Sequence, residues 1–347
     1  ERWWEERALQ ARQALQDRRF SHAYDVAASS GLTRGAGFAD AEFIAGWAAL
    51  RYLGKPEAAR GHFDRLRGGA TFPISVSTGW YWLGRSEEAL GNDAKAKAAY
   101  TEAAAHVDTF YGQLAQAALS GDGPLALPAP ATNVTAGRDA FEKNELTQVV
   151  RIIADIGDPA LMLRFASHYA DVITDATSCE LLTTLVWDLG YRQASVRAAK
   201  RAMQHMVPCL KNSYPVVKLP RHVGTGSKPE DALILALARQ ETEFGGGQVS
   251  GAGAMGIMQL MEATARMTAT RHGIQFDRSR LLTDADYNTQ IAMAHVQDLL
   301  IDQGGSYILT IAAYNAGGGR VSQWIEQFGD PRSPTVDPVD WIERIPI

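Results

Sequence analysis

Residues 1 to about 120 are rich in Ala, Leu, Arg and Glu, with Trp and Tyr interspersed, and read as one helix after another. The pattern repeats weakly. Leu53-Gly54-Lys55-Pro56-Glu57-Ala58-Ala59 matches Leu90-Gly91-Asn92-Asp93-Ala94-Lys95-Ala96, and at the same offset Phe63 matches Tyr100. A helix, a Leu-Gly turn and a second helix with small residues facing a neighbour is the logic of helical-hairpin repeats. Leu189-Gly190-Tyr191, with Ala194 and Ala198-Ala199 behind it, is a poorer third copy. One hairpin cannot bury its apolar face alone, so such units stack. The stretch from Gly121 to Gly137 is rich in Pro, Ala and Gly and reads as a connector inside the helical region. Helical patterns resume near Phe141 and run to about Met206. Pro208, Pro215, Pro220, Gly224 and Gly226 then mark a loop-rich linker.

The run Ala232 to Ala238 is continuously apolar, too short to span a bilayer, and reads as a buried core helix. Pro229 is expected in its first turn, with Ser227 as a cap. Leu233, Leu237 and Glu241 lie four apart and share one face. A carboxyl at the end of that face would sit against hydrocarbon. Desolvation would raise its pKa, which suits a general acid near neutral pH. A Glu in a last helical turn is otherwise a solvated charge. Glu243 points about 200° away on a 3.6-residue helix and is expected at the surface. A glycine-rich loop, Gly245 to Gly256, follows.

A chain of 347 residues suggests two or more domains, and 46% hydrophobic content supports sizeable cores. The net charge of −5, with no dense basic patch, gives no sign of nucleic acid as a partner. Cys179 and Cys209 form either one disulfide or two buried thiols. The eight histidines are scattered without ligand-like spacing, so no metal and no cofactor are expected. No apolar run is long enough for a membrane span. The chain starts at Glu1 without Met, which fits a trimmed form or one whose signal peptide has been removed.

Three ordered motifs accompany Glu241: ETEF itself, GxMQLMxxTA within the segment Gly253 to Ala265, and AAYNAGxGRV from Ala312 to Val321. Together they resemble the catalytic domain of the soluble lytic transglycosylases of bacterial peptidoglycan, closely from Lys228 to Ile347. Phe38 to Trp47 and Thr109 to Ala115 are similar to the helical superhelix of that family. The resemblance implies an all-α chain, an N-terminal helical superhelix followed by a lysozyme-like α domain. The expected boundaries are 1–210 for the superhelix, 211–228 for a linker and 229–347 for the catalytic domain.

The resemblance also implies the chemistry. Glycoside cleavage needs a proton for the leaving oxygen, and a hydrolase usually adds a second carboxylate. Between Phe244 and Met261 there is no Asp or Glu, although Asp277, Asp284, Asp286 and Glu326 lie further on. In lytic transglycosylases one Glu, here Glu241, acts as acid and then base. The muramic sugar's own C6 hydroxyl attacks its anomeric carbon and leaves a 1,6-anhydro end. Ser250 falls where the family places a Ser near the catalytic carboxyl, although Gly245-Gly246 and Gly251 replace its usual Asn-Pro and Pro. Gln259, Met261 and Thr264 are implied substrate-binding residues, as are Tyr314 and Asn315. The segment Leu281 to Asn288 resembles a family segment that opens a helix, a structural role. Glu343, in Glu-Arg-Ile-Pro-Ile, is a substrate-side carboxylate by position; the family usually continues into a further helix that closes the site. The implied partners are peptidoglycan glycan strands, and cell-wall synthesis or secretion proteins are further candidates. The implied location is the periplasm. The rival readings are a hydrolytic lysozyme of the same fold and a non-catalytic glycan-binding scaffold.

Overall fold

The computed structural model describes residues 2–121, 123–127, 134–224 and 226–346. Among them it has twenty helices and no strand, only the isolated bridges Val249–Met255 and Met255–Leu260. The all-α expectation therefore holds. Contacts divide the chain into two compact units.

The first unit holds α1 (Arg2–Gln16), α2 (Phe20–Ala28), α3 (Ala36–Arg51), α4 (Pro56–Gly69), α5 (Pro73–Ala89), α6 (Asp93–Ala104) and α7 (Phe110–Ser120). Each of α1 to α6 packs against its successor in the chain. The repeat has a physical basis. Gly46 of α3 lies against the Phe63 ring of α4, and Gly84 of α5 against the Tyr100 ring of α6; a β-carbon at either glycine would collide with the ring. Small residues let the helices approach, and an aromatic ring fills the gap in each copy. The connector expected after Gly121 lies partly outside the described residues, and the next helix starts earlier than expected.

The second unit holds α8 (Val134–Lys143), α9 (Glu145–Ile156), α10 (Pro159–Val172), α11 (Ala176–Asp188), α12 (Arg192–Gln204), α13 (Leu210–Ser213) and α14 (Asp231–Thr242). It continues with α15 (Glu262–Arg271), α16 (Arg278–Thr283), α17 (Ala285–Asp302), α18 (Tyr307–Ala316), α19 (Gly318–Phe328) and α20 (Pro338–Glu343). Residues 134–203 cluster with 207–345, and the boundary between the two contact units falls near residue 130. The reason is α12. Its Ala194, Ala198, Ala199 and Ala202 belong to one apolar cluster with α8 to α11, whereas Val196 belongs to the cluster built on α14 and α17. A third cluster joins α18, α19 and α20 around Trp324 and Trp341.

The expected cap of α14 is not formed. The helix begins at Asp231 with Glu230 before it, so Pro229 and Ser227 lie outside. Lys228 instead pairs with Asp231 across the helix start, at 2.5 Å. The two thiols are joined: Cys179 of α11 and Cys209 form a disulfide with Cα atoms 6.1 Å apart and a sequence separation of 30. No helix among the described residues is long and apolar enough to cross a membrane.

The disulfide closes a loop large enough to stabilise the second unit by about 3–4 kcal/mol through the entropy of the unfolded chain. Replacing Cys179 and Cys209 together by Ser should lower the urea-unfolding free energy by roughly that amount. A change below about 1 kcal/mol would show that the bond constrains little.

Candidate active site

Helix α14 places its carboxyl as the apolar pattern requires. Leu233, Ile234, Leu237 and Ala238 are buried, and Glu241 follows on the Leu233–Leu237 face, half-buried, one residue before the helix ends. Burial pushes the Glu241 carboxyl above the ordinary glutamate range, and it is the cause of that shift. No hydrogen bond or ion pair reaches Glu241 among the described residues, so nothing compensates the lost hydration of the charged form.

The segment 255–258 is pinned from three sides. Asn288 of α17, fully buried, donates from Nδ2 to Met255 O at 3.0 Å and to Leu281 O at 2.9 Å, and its Oδ1 accepts from Met258 N at 3.0 Å. Tyr314 of α18 donates its hydroxyl to Met258 O at 2.6 Å. Thr242, at the end of α14, donates to Ile257 O at 2.7 Å. Gly256 sits in the left-handed region at φ 74°, where a β-carbon would also strike Leu281 O and the Asn288 amide, so only glycine fits.

This geometry gives Tyr314 a definite place. Its ring belongs to the apolar clusters on both sides and lies 5.8 Å from that of His295. Burial, and secondarily the Glu241 charge, push its phenol well above the ordinary tyrosine range, so the hydroxyl keeps its proton and stays a donor. Burial likewise pushes the His295 ring down and favours the neutral form.

The remaining candidates divide. Ser250 Oγ accepts from Ala254 N at 3.0 Å and Ser250 N donates to Ala254 O at 2.9 Å; the side chain closes the loop's own turn and makes no bond to Glu241. Gln259, in the left-handed region at φ 47°, donates from Nε2 to Gly256 O at 2.9 Å. Met261 is exposed at the N-cap of α15, Thr264 is half-buried on its first turns, and Asn315 is exposed at the end of α18. Glu343 is half-buried as the last residue of α20. Glu241 and Tyr314 are thus brought together electrostatically, while Ser250, Gln259 and Met261 belong to the loop and helix start that follow.

The distant acids do not join them. Asp277 caps α16 and Asp284 caps α17, each held below the ordinary aspartate range, first by the Ser279 hydroxyl and by the Tyr287 amide respectively. Asp286 and Glu326 are exposed. No group of three or more His, Cys, Asp or Glu suited to a metal ion occurs among the described residues.

One expectation is overturned. Glu243 is not a surface charge; it is 6% exposed. Its carboxylate pairs with Arg197 and, at 2.7 Å, with Lys200, both on α12. The helix ends at Thr242 and Glu243 turns into the left-handed region, so a helical projection no longer gives its direction. Gln193 of α12 was also unforeseen. It donates to Thr242 O at 3.1 Å and accepts from Gln248 Nε2 at 2.9 Å. No local pattern marks either contact, because the partners lie more than forty positions apart.

Residues 222–334 match the family model described as Transglycosylase SLT domain. The soluble lytic murein transglycosylase of Escherichia coli (strain K12) is 30% identical over 163 residues, covering 46% of this chain and 24% of that protein. The putative soluble lytic murein transglycosylase of Haemophilus influenzae is 34% identical over 95 residues, 27% of this chain and 16% of that protein. The matched part thus spans a quarter or less of these relatives. Among solved structures, an inactive mutant of the lytic transglycosylase Slt from Pseudomonas aeruginosa superposes with a TM-score of 0.70 and 24% identity, over 99% of this chain and 54% of that one. The 70-kDa soluble lytic transglycosylase Slt70 of Escherichia coli gives 0.61 and 20%, over 98% and 58%. The likeness in fold therefore extends through the N-terminal helices, beyond the matched family segment.

Asn288→Ala would leave Leu281 O and Met258 N without their partner, while Met255 O would keep its bond from Leu260 N at 3.1 Å. At about 1–3 kcal/mol for each of the two buried groups left unsatisfied, the loss should reach on the order of 2 kcal/mol or more, read as a lowered denaturation midpoint. A loss under about 1 kcal/mol would mean that the loop does not depend on this amide.

Proposed function

We propose that the chain is a peptidoglycan lytic transglycosylase, with the chemistry carried by residues 229–347 and Glu241 as its single acid and base. The observation that carries this reading is the Glu241 carboxyl: half-buried, pushed up by desolvation, and with no second carboxylate acting on it among the described residues. The similarity of residues 222–334 to the transglycosylase SLT domain supports the choice of substrate.

Protonated Glu241 donates to the glycosidic oxygen between N-acetylmuramic acid and N-acetylglucosamine, and the C1–O bond breaks. The muramic N-acetyl group assists departure. The C6 hydroxyl of the same sugar then attacks C1 and returns its proton to the Glu241 carboxylate. The proton count closes, no water is consumed, and the product is a 1,6-anhydro end. Because nucleophile and electrophile share one ring, the second step is intramolecular, which replaces the second carboxylate a hydrolase needs.

In this reading Gln259, Met261, Thr264 and Asn315 contact the glycan, with Glu343 on the substrate side. Ser250 and Tyr314 shape the loop beside the acid. The N-terminal helices serve as a scaffold that positions the strand, and cell-wall synthesis or secretion proteins are candidate partners. The periplasm is the expected location, from the substrate and from a disulfide that persists in oxidising compartments.

The test is mass spectrometry of sugars released from purified peptidoglycan by the parent and by Glu241→Gln. The parent should release anhydro-muropeptides that resist borohydride, and the variant should be slower by roughly two to four orders of magnitude. Reducible ends would identify a hydrolase. Equal activity of the variant would remove Glu241 from the mechanism.

A further inference from the structure

We propose that Glu243 is a positioning residue for Glu241: its ion pairs with Arg197 and Lys200 seat the end of α14 on α12 and so fix where the acid's carboxyl lies. The inference rests on the reading of Glu241 as the acid.

The backbone supplies the first observation. Directly after the helix, Glu243 and Phe244 stand at φ 54° and 63°, two consecutive non-glycine residues in the left-handed region. Helices that end this way ordinarily place glycine there. The turn is closed by Glu243 N donating to Arg239 O at 3.1 Å and Phe244 N to Ala238 O at 3.3 Å. Non-glycine residues persist in this region only where their surroundings over-determine them. Here the surroundings are the side chains that glycine would lack.

Those contacts come from one face of α12. Gln193, Val196, Arg197 and Lys200 follow the spacing that brings helical residues to one side. Gln193 holds Thr242 O and Gln248; Val196 packs in the same apolar cluster as Phe244; Arg197 and Lys200 take the Glu243 carboxylate. A single helix therefore grips both the end of α14 and the glycine-rich loop beyond it. The charges explain why two cations are used. A helix C-terminus carries partial negative charge, so a buried carboxylate there is unfavourable by itself. Arg197 and Lys200 offset both the carboxylate and the helix end.

Glu241 has no hydrogen bond of its own to hold it among the described residues, so its place depends on the helix that carries it. A displacement of about 1 Å can cost on the order of a hundredfold in rate.

The experiment compares parent, Glu243→Gln and Glu243→Gly on soluble glycan strands, with kcat, KM and Tm measured for each. Glu243→Gln keeps the shape and removes the charge. Glu243→Gly removes the side chain but is at ease in the left-handed turn, so it tests the tie without straining the fold. The expected result is a kcat loss of about tenfold or more in both variants, with KM changed by less than about threefold and the glycine variant's Tm close to the parent's. An active parent with both variants within about twofold in kcat would overturn the inference alone. A kcat loss that merely tracks the fraction unfolded would overturn it too. A parent that releases no anhydro sugars would overturn the functional reading, and this one with it.

Discussion

The buried carboxamide of Asn288 is the contact on which the candidate site most depends. It satisfies one backbone N–H and two carbonyls, from Met258, Met255 and Leu281. A loop cannot run through a protein interior unless such groups find partners. Asn288 supplies them from the rigid α17, and its amide leaves room only for glycine at position 256. The Tyr314 hydroxyl and the Thr242 hydroxyl complete the fastening from α18 and α14. Helices α14, α17 and α18 thereby converge on four loop residues beside Glu241.

The electrostatics of the site follow from what this arrangement excludes. Several acids nearby in sequence are committed elsewhere: Asp277 and Asp284 to helix caps, Glu243 to Arg197 and Lys200, Glu262 to Arg266 and Arg278. Among the described residues Glu241 is left half-buried without a hydrogen-bond or ion-pair partner, and its neutral form is favoured for that reason. Acid–base chemistry on a glycoside needs such a group, and in the proposed reaction ring closure by the substrate would remove the need for another.

Much of this was legible in the sequence, and the limits have physical causes. The helical repeat shows because its packing is local: glycine on one helix meets an aromatic ring on the next. Glu241 shows because Leu233 and Leu237 lie on its face and the helical period carries to it. Ser250, Gln259 and Tyr314 emerged through resemblance to a family rather than through spacing. What did not show is long-range. Helical projection sent Glu243 outward because nothing in the local pattern signals a left-handed turn at a residue other than glycine. The alanine face and the gripping face of α12 lie on one helix and serve two cores, so residues 134–203 read as scaffold from the sequence while they cluster with residues 207–345. The pairing of Cys179 with Cys209 required the fold to bring their Cα atoms to 6.1 Å.

The central claim is that burial raises the pKa of a single carboxyl, Glu241, and so favours the form that can donate a proton. Carbon-13 NMR of side-chain-labelled glutamate, titrated with pH and assigned by the signal lost in Glu241→Gln, measures it directly. The account predicts that the Glu241 carboxyl titrates above the ordinary glutamate value of 4.5. Titration at or below that value would contradict it, because a carboxyl already ionised in mild acid could not serve as the proton donor.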